Sequence, residues 1–207
     1  MPVADLPPQL QERVVCSIAA AVKYQIPANI VLAVAEKEGG KPGQWVRNAN
    51  GTHDVGPMQF NTAYLRDLAG YGITPDDVAA AGCYAFDLAA WRLRQHIKRD
   101  KGDLWTRAAN YHSRTPQYNA VYRADLVVRA RGWADWLEAR FVTVDVTKAD
   151  ALLSSMPGAL ATVQPGSAQT TKAATTVTAT PAQTPAATVA SNTYGYVPRK
   201  VIIGGQP

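Results

Sequence analysis

Two carboxylates, Glu36 and Glu38, stand one residue apart in the stretch EKEGGKPGQ (36–44), where an apolar run meets three glycines and a proline. A carboxyl works as a general acid only if it keeps its proton near neutral pH. Burial among apolar side chains achieves this by penalising the charged form. The spacing treats the two glutamates differently. Val31, Val34, Ala35 and Glu38 fall at i, i+3, i+4 and i+7, the pattern of one buried helical stripe. Glu38 thus continues the apolar face at its C-terminal end, where the helix dipole also disfavours negative charge. Glu36 lies roughly 200° around the helix and is expected to face water. Gly39 and Gly40 are expected to give a large substrate room to approach the backbone. On this stretch alone, an ordinary helix-end residue with a salt-bridge partner is the better reading of Glu38.

Downstream residues add to the acid/base reading. The run WVRNANGTHDVGPMQFN (45–61) contains NGT and VGP turn signals followed by Met58, Gln59, Phe60 and Asn61. A loop rich in amides and backbone donors can hydrogen-bond acetamido groups and sugar hydroxyls. Asp54, in the same run, supplies a second carboxylate. Two carboxyls roughly 5 Å apart permit glycoside hydrolysis with retention, whereas a turn aspartate often only hydrogen-bonds local backbone. Further on, AANYHSRTPQYNAVYR (108–123) places Asn110 and Tyr111 beside a loop with two more tyrosines, a mix of amides and aromatics common in carbohydrate sites. His112, the one histidine near a motif, is read as at most a substrate contact. Trp45 is a candidate for stacking on sugar, and Trp133 and Trp136 for packing. Asn48, Asn50, Thr52 and Asp54 alternate as in a calcium loop but lack its glycine and terminal glutamate, so a polar turn is expected, with no metal and no cofactor.

The elements that must position these residues read as helices. Leu10, Val14, Ile18 and Val22 mark a first amphipathic helix, and Pro27 opens a second that carries Val31 to Glu38. Asn61 or Thr62 can cap a third. Thr74, Pro75, Asp76 and Asp77 are a helix-start signal. Phe86, Ala90, Leu93 and Ile97 stripe another helix, Trp105 to Tyr111 forms one more, and a long one spans about 119–140 with Leu126, Ala130, Trp133 and Leu137. No alternating strand is evident before the tail, so an all-α domain is expected over residues 1–153.

Taken together, Glu38-Gly39-Gly40, the run Asn50 to Asn61 and Ala109-Asn110-Tyr111 resemble the lysozyme-like soluble lytic transglycosylases, in particular small forms serving conjugation, type IV secretion and pilus machines. The likeness covers roughly residues 10–138. Gly39 stands where Ser is commoner, Phe60 replaces Ile, and His112 follows the Tyr where Asn is usual. The resemblance implies a mainly helical lysozyme-like fold and a sole catalytic acid/base, Glu38. That residue would cleave the β-1,4 bond between N-acetylmuramic acid and N-acetylglucosamine and leave 1,6-anhydromuramyl ends. It also implies that Gln59, Asn61 and Asn110 contact sugar, that Met58 lines the groove and that Tyr111 orients Glu38. An Asp similar to Asp54 is the second carboxylate of animal-type lysozymes, so a hydrolase using Glu38 and Asp54 is the alternative, with a non-catalytic wall-binding assembly subunit behind it.

The remaining features are consistent with such a protein. The 207 residues are 47% hydrophobic and carry a net charge of +5, suited to an anionic wall polymer. The basic residues are dispersed and form no nucleic-acid reading motif, so no nucleic-acid partner is expected. The two cysteines, Cys16 and Cys83, allow one disulfide in an oxidising compartment or two buried thiols in the cytosol. The resemblance to secreted domains favours the bond. Residues 154–192, almost wholly Ala, Thr, Pro, Ser and Gln, read as a disordered linker. Residues 193–207 regain apolar character as a short segment that frays or docks on secretion or pilus machinery. No stretch is long and apolar enough to span a membrane. The start, MPVADLPPQLQERVV, shows no signal-peptide pattern, so a periplasmic or envelope location is expected with the export route open.

Overall fold

The structure, a computed structural model, describes residues 3–145 and 199–201. Within them lie the helices α1 (Pro8–Tyr24), α2 (Ala28–Glu38), α3 (Thr62–Leu68), α4 (Pro75–Ala79), α5 (Tyr84–Arg99), α6 (Leu104–Ala109) and α7 (Pro116–Glu138). The helical class read from the sequence is the observed one. Several helix starts follow directly from local chemistry. Thr74 Oγ1 accepts from the Asp77 N–H while the Asp77 carboxylate accepts from the Thr74 N–H, a reciprocal cap on α4. Asn61 Oδ1 caps α3 by accepting from the Ala63 N–H at 2.9 Å.

The core is built around α2, which packs against α1, α5 and α7. The sequence predicts one apolar stripe here, yet every residue from Ala28 to Ala35 is buried. A helix apolar all round belongs at the centre of a domain rather than on its surface. Even the polar Asn29 is absorbed, its amide donating to the Ala130 carbonyl of α7 at 3.2 Å. The helix ends at Gly39, whose φ of +60° is the left-handed conformation that stops helices and that glycine adopts without strain. Gly40 serves a different need. A Cβ there would stand 2.2 Å from the Gly56 carbonyl oxygen and 2.6 Å from Gln59 Nε2. This glycine makes room for the protein's own loop, not for a substrate as the sequence suggests.

That loop holds strands the sequence does not reveal. β1 (Trp45–Arg47), β2 (His53–Val55) and β3 (Phe60–Asn61) form an antiparallel sheet in that order, with Trp45 opposite Val55 and Asp54 opposite Asn61. Strands of two or three residues are too short to show alternation. The sheet fixes Asp54 and Asn61 side by side at the mouth of the domain.

Two further ties close the fold. Cys16 and Cys83 form a disulfide across 67 positions, fastening α1 to the start of α5. In a chain-entropy account a loop of that size contributes about 4 kcal/mol. At the other end, β4 (Thr143–Asp145) pairs antiparallel with β5 (Arg199–Val201), and Val201 is buried against α1 and α2. Part of the final segment therefore belongs to the helical domain's surface. The expected linker at 154–192 and the rest of the 193–207 segment lie outside the described residues. No helix among the described residues is long and apolar enough to cross a membrane.

Candidate active site

Glu38, at the C-terminal end of α2, opens into a cleft of about 750 Å³. The cleft walls bring together the β1–β2 turn (Asn48 to Asn50), Asp54 on β2, Gln59 and Asn61 around β3, Arg92 on α5, and Tyr111, His112 and Tyr118 from the α6–α7 region. Three separate stretches singled out in the sequence thus meet around one carboxyl. Loss of hydration on burial is the largest influence on Glu38 and raises its pKa from 4.5 to about 7. The Tyr122 hydroxyl donates to Glu38 Oε1 at 2.7 Å and opposes that rise, as does the positive charge of Arg92, while Asp54 adds to it. The balance leaves a carboxyl that can hold or release a proton at neutral pH.

The surroundings hold this group in place. The His112 ring lies parallel to the Tyr122 ring at 4.8 Å between centroids, bracing the tyrosine that touches Glu38. Burial pushes the His112 pKa down, which favours the neutral imidazole. The Asn61 amide donates to Asp54 Oδ1 at 2.9 Å and to Thr52 Oγ1 at 3.0 Å, so the residue that caps α3 also orients the second carboxylate. Gln59 has a left-handed backbone (φ 47°), and its amide donates to the Gly56 carbonyl at 2.8 Å. Gln59 shapes the loop while its side chain lines the cleft.

Several expectations are redirected. Met58 is fully buried and offers the cleft no side-chain surface; its carbonyl instead accepts from the Tyr111 hydroxyl at 3.1 Å. Tyr111 therefore does not orient Glu38, and Tyr122 makes that contact. Asn110 is turned away, donating to Asp100 Oδ2 at 2.9 Å and accepting from Asn119 Nδ2 at 2.8 Å. It joins a network in which Asp100 also meets His96 and Arg114. Glu36 does not simply face water, because Arg129 pairs with Oε1 and the Trp133 indole N–H donates to Oε2 at 2.7 Å. Trp133 thus has a polar duty beyond the packing expected of it. Trp45 is exposed, with an edge-on contact to His53, and does not line this cleft.

Two residues of the site were missed by motif reading. Tyr122 sits four residues before Leu126 on the stripe of α7 already visible in sequence, so a polar-tipped aromatic on a buried face was the available signal. Arg92 had none, being one of several arginines on a charged helix.

The model of a family described as the Transglycosylase SLT domain matches residues 15–122, a stretch that includes both Glu38 and Tyr122. Two curated relatives, each called protein IpgF, come from Shigella flexneri and Shigella sonnei. Each is 30% identical over 101 residues, 48% of this chain and 66% of the relative. The matched chain spans just under two thirds of their length.

Proposed function

From its membership of the transglycosylase SLT domain family, to which this chain belongs, we propose that it is a peptidoglycan lytic transglycosylase with Glu38 as the acid/base. The observation that carries this reading is a half-buried carboxyl with its pKa pushed up to about 7, held by a tyrosine hydroxyl in an open cleft. Protonated Glu38 gives its proton to the glycosidic oxygen between N-acetylmuramic acid and N-acetylglucosamine as the C1–O bond breaks. The carboxylate so formed takes the proton of the muramyl 6-hydroxyl as that oxygen closes on C1. A 1,6-anhydro ring results, no water is consumed, and Glu38 returns to its starting state. Positive charge develops at C1 in such a step, and Asp54 and the substrate's own acetamido oxygen supply compensating electron density. Gln59 and Asn61 line the cleft and on this reading contact sugar.

A second reading is favoured by one specific observation. Asp54 shares the cleft and acts electrostatically on Glu38. With Asp54 as nucleophile the enzyme would be a lysozyme-type hydrolase. Against it, one Asp54 oxygen is committed to the Asn61 amide.

The activity belongs in the cell envelope, where the substrate lies, and the Cys16–Cys83 bond supports an oxidising compartment. Local opening of the wall for a secretion, conjugation or pilus apparatus is the role that the resemblance to small transglycosylases supports. The deciding experiment is mass spectrometry of soluble muropeptides released from purified sacculi by wild type and Glu38→Gln. Anhydro-ended products that vanish with the variant are expected. Reducing ends would transfer the assignment to the Asp54 hydrolase, and binding without release would leave a wall-binding subunit.

A further inference from the structure

Several cations on the elements that flank the cleft are already matched by a carboxylate. Lys37 meets Asp125 at 2.7 Å, Arg114 meets Asp100 at 3.2 Å, and Arg129 is shared by Asp125 and Glu36. Arg92 differs. No carboxylate of the described residues lies within 4.0 Å of its guanidinium, although the residue lines the cleft beside Glu38 and Asp54. Its contacts are with tyrosines instead. The guanidinium lies over the Tyr64 ring at 4.2 Å and over the Tyr111 ring at 4.7 Å.

These rings are themselves fixed. Phe60, fully buried, stacks on Tyr64 with centroids 6.1 Å apart and meets Tyr111 edge-on at 6.4 Å. Arg92 is therefore pre-positioned between two held rings, an arrangement that loses little side-chain entropy on binding. A guanidinium carries more N–H donors than the Tyr111 hydroxyl can engage, and the remainder can meet a carboxylate in parallel hydrogen bonds. Asp54 does not fill that role, being held by Asn61. While Glu38 carries its proton, the positive charge of Arg92 has no full counter-charge from that side of the cleft.

We propose that Arg92 is a carboxylate subsite, which receives a carboxylate of the peptidoglycan strand and sets its register over Glu38. This rests on the reading of the protein as a peptidoglycan-cleaving enzyme and adds a specificity element to it. Two parts of the polymer carry the required group. One is the lactyl side chain of N-acetylmuramic acid where its peptide has been removed, and the other is a stem peptide still attached. A purely N-acetylglucosamine polymer carries neither, so the subsite separates wall glycan from chitin-like glycan.

The test reads affinity separately from turnover. Binding is measured in the Glu38→Gln background by calorimetry, using short glycan strands with carboxylates free or methyl-esterified. One pair of strands has been stripped of peptide and a second pair carries intact stem peptides. With Arg92 present, the free acid is expected to bind about tenfold more tightly than the ester in at least one pair. The pair that shows the preference identifies the lactyl or the peptide source. Adding Arg92→Gln should bring that ratio to about one, whatever the absolute affinities. Arg92→Lys, which keeps the charge but not the planar fork, should retain only part of it. An equal loss on acid and ester, or no preference when Arg92 is present, overturns the proposal and leaves Arg92 a support for the tyrosine cluster. Failure of the wild type to release anhydro products would sink the catalytic reading while these ratios still decide the role of Arg92.

Discussion

Glu36 and Glu38 leave the same last turn of α2 and are both met by α7, but by different chemistry. Glu36 receives a guanidinium from Arg129 and an indole N–H from Trp133. Glu38 receives a single phenolic hydroxyl, from Tyr122, inside a cleft that strips much of its hydration. A charged partner with a second donor makes a fastening between helices. A neutral partner in a desolvated cleft leaves a carboxyl free to exchange its proton. Two identical side chains thus acquire separate duties from what α7 presents two to three turns apart, and neither duty is a property of glutamate itself.

The sharpest way to break this contrast is to neutralise each carboxyl in turn and measure muropeptide release from sacculi. Glu38→Gln is expected to lower release on the order of a thousandfold, the range of a lost general acid/base. Glu36→Gln should stay within about threefold of wild type per folded molecule, since the group does not touch the cleft. Comparable losses in both variants would erase the distinction.

Stability gives the next largest effect. The pKa of Glu38 is raised on folding, so its contribution is full below the unfolded value of 4.5 and is lost as pH rises toward about 7. Removing the ionisable group should therefore stabilise the protein on the order of 3 kcal/mol at pH 8 and hardly at all at pH 4. Urea unfolding of Glu38→Gln and wild type at the two pH values checks this, and a gain independent of pH would contradict it. Glu36→Ala should move the other way, losing about 1 kcal/mol because the Trp133 N–H loses its acceptor while Arg129 keeps only Asp125. The same unfolding curves report that loss.

The smallest expected change sharpens the role of the hydroxyl. The Tyr122 hydrogen bond favours the charged form of Glu38, so Tyr122→Phe should raise the Glu38 pKa further. The alkaline limb of the pH–activity profile is expected to move up by about one pH unit. A limb that stays in place would mean that the hydroxyl is not engaged during turnover.

What was legible in the sequence follows the range of each interaction. The cap at Thr74, the stop at Gly39 and the cap at Asn61 are settled within three or four residues, and sequence shows them directly. The class of the fold follows from stripes such as Leu126, Ala130 and Leu137. The short sheet escaped because hydrogen bonding across a tight turn, not alternation, makes β1 to β3. The site was half legible. Glu38, Asp54, Gln59 and Asn61 gather as their motifs suggest, but their partners come from far along the chain. Tyr122 is 84 positions from Glu38 and Arg129 is 93 from Glu36. The resemblance implied that Tyr111 orients Glu38, whereas packing around Phe60 turns that hydroxyl to the Met58 carbonyl.

The burial of α2 on all sides has a dynamic consequence. Backbone amides from Ile30 to Ala35 can exchange with solvent water only when neighbouring helices separate, so their exchange should track global unfolding rather than local breathing. Glu38 hangs three residues beyond that clamped segment, just before the left-handed Gly39 that ends the helix. Any motion that adjusts the site must then come from the loop and α7 side of the cleft, while the acid itself stays referenced to the stillest part of the molecule.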